Sequence, residues 1–392
     1  MADVACNLSE AELHHWRLME EFAGLLEKVF GRHRLHPSFA DPQRRLSATH
    51  YLCLYLFGLF NPVVRTMRGL CQASHLERVQ GEVSGGAVSL GSFSEAQHLI
   101  DPRLLEEVFG ELSRQMPVRP HDPRLGPWEW LARDGSLFRA LPRMAWALYG
   151  GGKAGAPNRA VRLHLSLNLL DDKPQVAAVR PGGQCERKVW RQQWQRGQAY
   201  VGDRAFGQDY RLLGQLQDQE CVFVLRLREH QTVVQVLQEL ELSPADRAAG
   251  VLRQAWARLG RRACDRSVRV RVVWLETQDH SPLMLVTNLT PEQLPAQLVS
   301  QLYRWRWKIE LFFRWVKCVL KCRHWLAESP SGATIQIYLA LIAALLLQLY
   351  TGRKPNQRMM ELLQWHQLGI ASTAELQRGL ERERARLLKR KA

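Results

Sequence analysis

"NRAVRLHLSLNLL", Asn158–Leu170, alternates from 161 to 168, with Val161, Leu163, Leu165 and Leu167 against Arg162, His164, Ser166 and Asn168. A period of two predicts a strand. Upstream, "WEWLARDGSLF" (128–138) predicts a strand that ends around Asp134. Downstream, "DDKP" turns the chain into a third strand, "QVAAVRP" (175–181). A basic helix follows in "CERKVWRQQWQRG" (185–197), then a short strand, "AYVGD", closing at Asp203. "QDYRLLGQLQDQ" (208–219) predicts a helix and "CVFVLRLR" (221–228) a strand.

Three strands, a helix, a strand, a helix and a strand is the order of an RNase H-like domain. The predicted fold class is therefore α/β, with a mixed five-stranded sheet and helices. A β-rich insertion interrupts it, and an N-terminal helical domain precedes it. The insertion reads as a helix in "TVVQVLQELEL" (232–242), a polar turn, and a strand in "VRVRVVWLET" (268–277). The core resumes with a strand, "LMLVTNL" (283–289), and one long helix, "TPEQLPAQLVSQLYRWRWKIELFFRWVKCVL" (290–320). The expected domains are 1–120 (helical), 121–228 (core, first part), 229–282 (insertion), 283–352 (core, second part) and 353–392 (helical tail).

The N-terminal part predicts short helices. A capping box at Ser9 and Glu12 starts the first, and Leu46–Phe60 forms the second, stopping at Asn61-Pro62. A third covers about 63–74, a fourth is capped by Ser92 and Glu95, and Pro102 starts one ending near Met116. Short helices joined by tight turns suit a helix-turn-helix-like DNA-binding module and equally a plain packing domain.

The formal net charge of +16 over 392 residues points to a polyanionic partner, with nucleic acid the first choice. The eight cysteines contain no CxxC pair and read as reduced thiols of a cytosolic protein. Cys318, Cys322 and His324 fit no common zinc spacing. "GGGKAG" (150–155) lacks the first glycine and the final hydroxyl of a phosphate-binding Walker loop, since 147 and 154 are alanine. No signal peptide is visible at the N-terminus. The longest apolar run, Ile335–Tyr350, is shorter than a membrane span, holds Gln336 and Gln348, and reads as a buried core helix.

Three acids stand out among 38: Asp134, Asp203 and Glu310. Carboxylates at strand ends and on a helix can converge from distant places in sequence. Together they offer the oxygen ligands that hard divalent cations need. Two such ions, about 3.5–4 Å apart, can activate a nucleophile and stabilise a leaving oxygen. On one helix, Tyr303, Arg306, Glu310 and Lys317 fall within roughly a 60° arc. That stripe sets a carboxylate among groups that grip phosphate. The plainer reading is an i,i+4 Arg–Glu pair on a solvated face, which the density of aromatic residues argues against.

Tyr303-x2-Arg306-x3-Glu310-x6-Lys317 resembles the Y-R-E-K signature of insertion-sequence transposases of the IS-four type. "DGS" at Asp134 is similar to that family's DGT, and "DRAF" at Asp203 to its DRGY or DRGF. Ser136 and Ala205 depart from the family's Thr and Gly, and Ala205 gives up a glycine's freedom at positive φ. The likeness runs from about 128 to 350. It implies a DDE triad of Asp134, Asp203 and Glu310 holding Mg²⁺, with Mn²⁺ as an alternative. It implies that Tyr303, Arg306 and Lys317 bind DNA. It further implies double-stranded DNA substrates (terminal inverted repeats and target), a homodimer in a synaptic complex, and action in the bacterial cytoplasm at the nucleoid, with no membrane. Trp256 or Trp274 of the insertion could stack a flipped base, with core packing the plainer role for each. Arg187, Lys188, Arg191 and the tail around Lys389–Lys391 would touch backbone phosphates. The rivals are a catalytically silent DNA-binding regulator and a structure-specific nuclease of the same fold.

Overall fold

The computed structural model describes residues 17–389 except 65, 152–156, 185, 230, 261–267, 278–281, 319–323, 353 and 355. The expected cap at Ser9 and Glu12, most of the 150–155 loop, Cys6, Cys185, Cys264, Cys322 and the last residues of the basic tail lie outside them, as do the side chains of Arg187 and Lys389.

Among the described residues, ten strands form one sheet. They are β1 (Trp130–Arg139), β2 (Leu148–Gly151), β3 (Pro157–Asn168), β4 (Lys173–Pro181), β5 (Ala199–Gly202), β6 (Val222–Arg226), β7 (Val234–Leu240), β8 (Val251–Leu259), β9 (Val270–Leu275) and β10 (Leu283–Thr287). β1 runs antiparallel to β3 and parallel to β5, β3 is antiparallel to β4, and β5 is parallel to β6. The order β4-β3-β1-β5-β6 is that of an RNase H-like sheet. The insertion continues the same sheet, because β10 pairs with β6 on one side and β9 on the other, and β8 and β7 follow.

Two expectations for the insertion change. Residues 234–240, read as helix, form strand β7, and the supposed polar turn contains strand β8. β3 is buried on both faces. Val161, Leu163, Leu165 and Leu167 are buried, and so are His164, Ser166 and Asn168 on the other side. Helix α6 (Glu186–Arg191) helps cover that second face, with Trp190 set edge-on to the His164 ring.

The N-terminal helices are α1 (Arg17–Phe30), α2 (Ala48–Phe60), α3 (Met67–Ala73), α4 (Leu90–Leu99) and α5 (Arg103–Gln115). Ser47 caps α2, and Ser89 rather than Ser92 caps α4. Past β5 come α7 (Arg204–Gly207), α8 (Tyr210–Asp218) and α9 (Pro244–Ala248). The predicted long helix is two, α10 (Ala296–Trp305) and α11 (Trp307–Cys318), with Arg306 at the joint. α12 (Pro330–Thr351) opens on the cap Ser329 and closes on Gly352 at φ 66°. α13 (Gln357–Gln367) and α14 (Thr373–Lys389) pack together at the tail.

α12 organises the core. It lies against α2, α5 and β4, so the N-terminal helices and the sheet share one apolar cluster. At 22 residues it is long and apolar enough to cross a membrane, yet 89% of its most apolar window is buried inside the protein. Its glutamines are satisfied by protein. Gln336 accepts from the Tyr55 hydroxyl at 2.9 Å and donates to the His324 carbonyl at 2.7 Å. Gln348 donates to the Asp171 carbonyl.

Gly207 fixes how α7 meets β6. A Cβ there would lie 2.0 Å from the Arg226 carbonyl oxygen, a backbone atom that cannot step aside. Gly207→Ala is expected to destabilise the protein by about 1–3 kcal/mol through overpacking. A denaturant midpoint equal to that of the parent protein would refute this.

Candidate active site

The β1–β5 ladder pairs Trp130 with Ala199, Leu131 with Tyr200 and Ala132 with Val201. Continued by two residues, that register would bring Asp134 level with Asp203. β5 stops at Gly202, and Asp203 becomes the N-cap of α7, its Oδ1 accepting from the Ala205 amide at 2.8 Å. β1 does not stop. It continues against β3, so Asp134 sits mid-strand rather than at a strand end, opposite Leu165. Its ladder with β5 has opened by that point. The crevice lies outside the carboxyl ends of parallel strands, where the sheet order reverses at β1, the usual place for a ligand in an open α/β sheet. Ala205 is helical, and no positive φ is asked of it.

Glu310 arrives from the opposite side, in the first turn of α11, which packs on β1. The break at Arg306 does not scatter the stripe. The Arg306 amide still reaches the Leu302 and Tyr303 carbonyls, both at 3.2 Å. Its guanidinium lies 5.6 Å from the Tyr303 ring centre. Arg306 Nη2 donates to Glu310 Oε1 at 2.7 Å, and Nη1 stands 3.6 Å from Asp134 Oδ2. Lys317, at the last turn of α11, places its ammonium 4.9 Å from the Phe138 ring, towards the far end of β1. Lys308 anchors α11 by donating to the Leu169 carbonyl at 2.6 Å and pairing with Asp172 at 2.9 Å.

The electrostatics tie the three acids together. Burial raises the Asp134 carboxyl to about 6; the Gly135 amide and Arg306 pull it down, while Asp203 and Glu310 push it up. The donors are all oxygen, as hard divalent cations require. One cationic group already stands between Asp134 and Glu310. The acids are not drawn into a ligand shell, and no group of three or more His, Cys, Asp or Glu side chains is gathered at metal-binding range among the described residues. The donor set fits Mg²⁺ or Mn²⁺ once Arg306 yields its place.

A pH dependence follows. Two carboxyls are raised in the folded protein, Asp134 to about 6 and Glu186 to about 7, both chiefly by burial. Between the ordinary carboxylate range and those values the native state holds more protons than the unfolded chain, so metal-free stability falls as pH rises through that window. Mg²⁺ is expected to raise the melting temperature by roughly a few degrees at pH 8 and by clearly less at pH 5, where Asp134 is protonated. Equal shifts at both pH values would exclude a carboxylate cation site.

Three residues at the site carried no motif. Glu186, on α6, feels the charges of both Asp134 and Asp203. His164 lies fully buried opposite Gly135. Arg226, at the end of β6, interacts with the Tyr303 phenol and bonds Glu229 at 3.0 Å. Only their places in the strand order could have singled them out. The insertion tryptophans lie under cations, Trp256 beneath Arg269 at 4.6 Å and Trp274 beneath Arg253 at 4.8 Å. Arg191 is held by Asp209 at 2.5 Å, Lys188 is exposed, and Cys318 is a free, exposed thiol.

Comparison with known proteins bears on this geometry. A family model described as a transposase DDE domain matches residues 130–346. The chain is 28% identical over 207 residues to a probable transposase for insertion sequence element IS5377 of Geobacillus stearothermophilus, covering 53% of this chain and 52% of that protein. It is 24% identical over 237 residues to putative transposase y4zB of Sinorhizobium fredii, covering 60% and 65%. The chain thus spans between half and two thirds of the length of these curated relatives. Among solved structures it is similar to a piggyBac transposase synaptic complex with hairpin DNA, at a TM-score of 0.43 and 11% identity, covering 95% of this chain and 83% of that one. The fold stands on the strand order without that likeness.

Proposed function

We propose, from the premise that this chain belongs to the transposase DDE domain family, that it cuts DNA at the ends of an insertion sequence and joins those ends to target DNA. The observation that supports this reading is that the charges of Asp203 and Glu310 both act on Asp134, with Arg306 between Asp134 and Glu310.

In this reading Asp134, Asp203 and Glu310 are the catalytic acids and would hold Mg²⁺, or Mn²⁺ in its place. The bound cations supply activation of the attacking oxygen and stabilisation of the leaving one. The chain's own groups do the rest. Arg306, Tyr303 and Lys317 hold the phosphates beside the cut, with Arg226 steadying the phenol. Hydrolysis of one phosphodiester frees a 3′-hydroxyl. Attack by that hydroxyl on the opposite strand or on target DNA is the same in-line displacement, so one constellation serves both steps. Residues 121–228 and 283–352 form the catalytic core, 229–282 the insertion, 1–120 the DNA-binding helices, and 353–392 a helical tail. Two copies would pair two ends in a synaptic complex, in the cytoplasm at the nucleoid.

The test uses the purified chain, Mg²⁺, a supercoiled target and linear duplexes carrying the inverted repeats that flank the gene. Nicks at the repeat ends and a joined product, both lost with EDTA, are expected. Cleavage without joining would make the protein a nuclease of this fold. Binding without cleavage would make it a silent regulator.

A further inference from the structure

The glycine of "DGS" has a structural reason that leads to a fourth acid. A Cβ on Gly135 would lie 2.9 Å from Glu186 Oε1 and 3.4 Å from His164 Nδ1. The bare Cα therefore lets the Glu186 carboxylate and the His164 ring close on β1 beside Asp134. Glu186 Oε1 is buried without a partner at full hydrogen-bond geometry, the Trp190 indole N–H acting on the carboxylate only from longer range, and both ring nitrogens of fully buried His164 are likewise unpartnered. The nearest cation, Arg162 Nη1, stands 3.7 Å from the other oxygen, Oε2, too far for a hydrogen bond. A buried carboxylate oxygen left unpartnered calls for an explanation.

We propose that Glu186 is a fourth carboxylate of the divalent-cation site, serving the cation that Asp134 and Asp203 share. This rests on the triad reading above. Two divalent cations carry four positive charges, and Asp134, Asp203 and Glu310 bring three negative ones. Glu186 brings the fourth, and a cation gives its oxygen the partner it lacks. Its assignment to the Asp134–Asp203 side follows from its place: Oε1 lies against Gly135, the residue after Asp134, and the charges of Asp134 and Asp203 both act on it. Arg162 and His164 back it from behind. Burial and the charges of Arg162 and Arg180 lower the His164 ring to about 4, so it adds no positive charge behind the carboxylate at neutral pH.

The test is Mn²⁺ binding to the full chain without DNA at pH 7.5, read from the electron paramagnetic resonance signal of free Mn²⁺. Glu186→Gln keeps the shape over Gly135 and removes the charge. It is expected to weaken Mn²⁺ binding by at least about tenfold, with metal-free melting unchanged or higher. Glu186→Asp, which keeps the charge on a shorter arm, is expected to fall between the two. If the Glu186→Gln isotherm superposes on that of the parent while Asp134→Asn weakens binding, this assignment is wrong and the triad stands. If neither variant weakens binding, both the assignment and the triad fail.

Discussion

Asp134→Asn is expected to yield a folded protein whose Mg²⁺-dependent DNA nicking falls by at least about a thousandfold, a barrier increase of roughly 4 kcal/mol. Asparagine keeps the size of the side chain and an oxygen that can accept from the Gly135 amide, as Asp134 Oδ1 does at 2.8 Å. It removes a negative ligand and frees Arg306 from one of its two partners. Misfolding can be told apart from loss of chemistry. The folded environment disfavours the ionised carboxylate, so its removal should leave the metal-free melting temperature at pH 8 unchanged or higher. A gel of nicked product beside a circular dichroism melt settles it. Parent-level nicking by Asp134→Asn would end the catalytic reading of this residue.

The second large effect concerns α12. Leu341→Asp places a carboxylate at the middle of a helix whose central residues are fully buried, among the apolar side chains of α2 and α5. No partner there can offset the lost hydration, and the penalty should exceed about 4 kcal/mol, enough to unfold many domains. The variant is expected in the insoluble fraction, and the parent in the aqueous fraction without detergent. The comparison also discriminates between two origins of an apolar 22-residue helix. A parent chain that needs detergent to leave the membrane pellet would contradict the packing described for α12.

The sequence carried the strands of the RNase H-like order because each alternates or is uniformly apolar between clear turns. Residues 232–242 misled because β7 is the last strand on its side of the sheet, where burial is weak on both faces. Its Val234, Val236, Leu237 and Leu240 then satisfy a helical period as readily as a strand's. β8 hid for the opposite reason: Gln254 is buried and Leu252 exposed, so polarity and position disagree. The break at Arg306 is invisible in composition, since neither Gly nor Pro marks it. In the site, acids with flanking motifs could be picked from the sequence. Glu186 could not, because one acid at the head of a basic helix reads as an ordinary helix-dipole partner.

The position of Arg306 also bears on timing. One guanidinium bridges two carboxylates, and it can grasp a phosphate only by releasing them. Under the proposed function, arrival of DNA and loading of cations would be thermodynamically linked, each lowering the cost of the other. That would be a coincidence rule written into a single side chain.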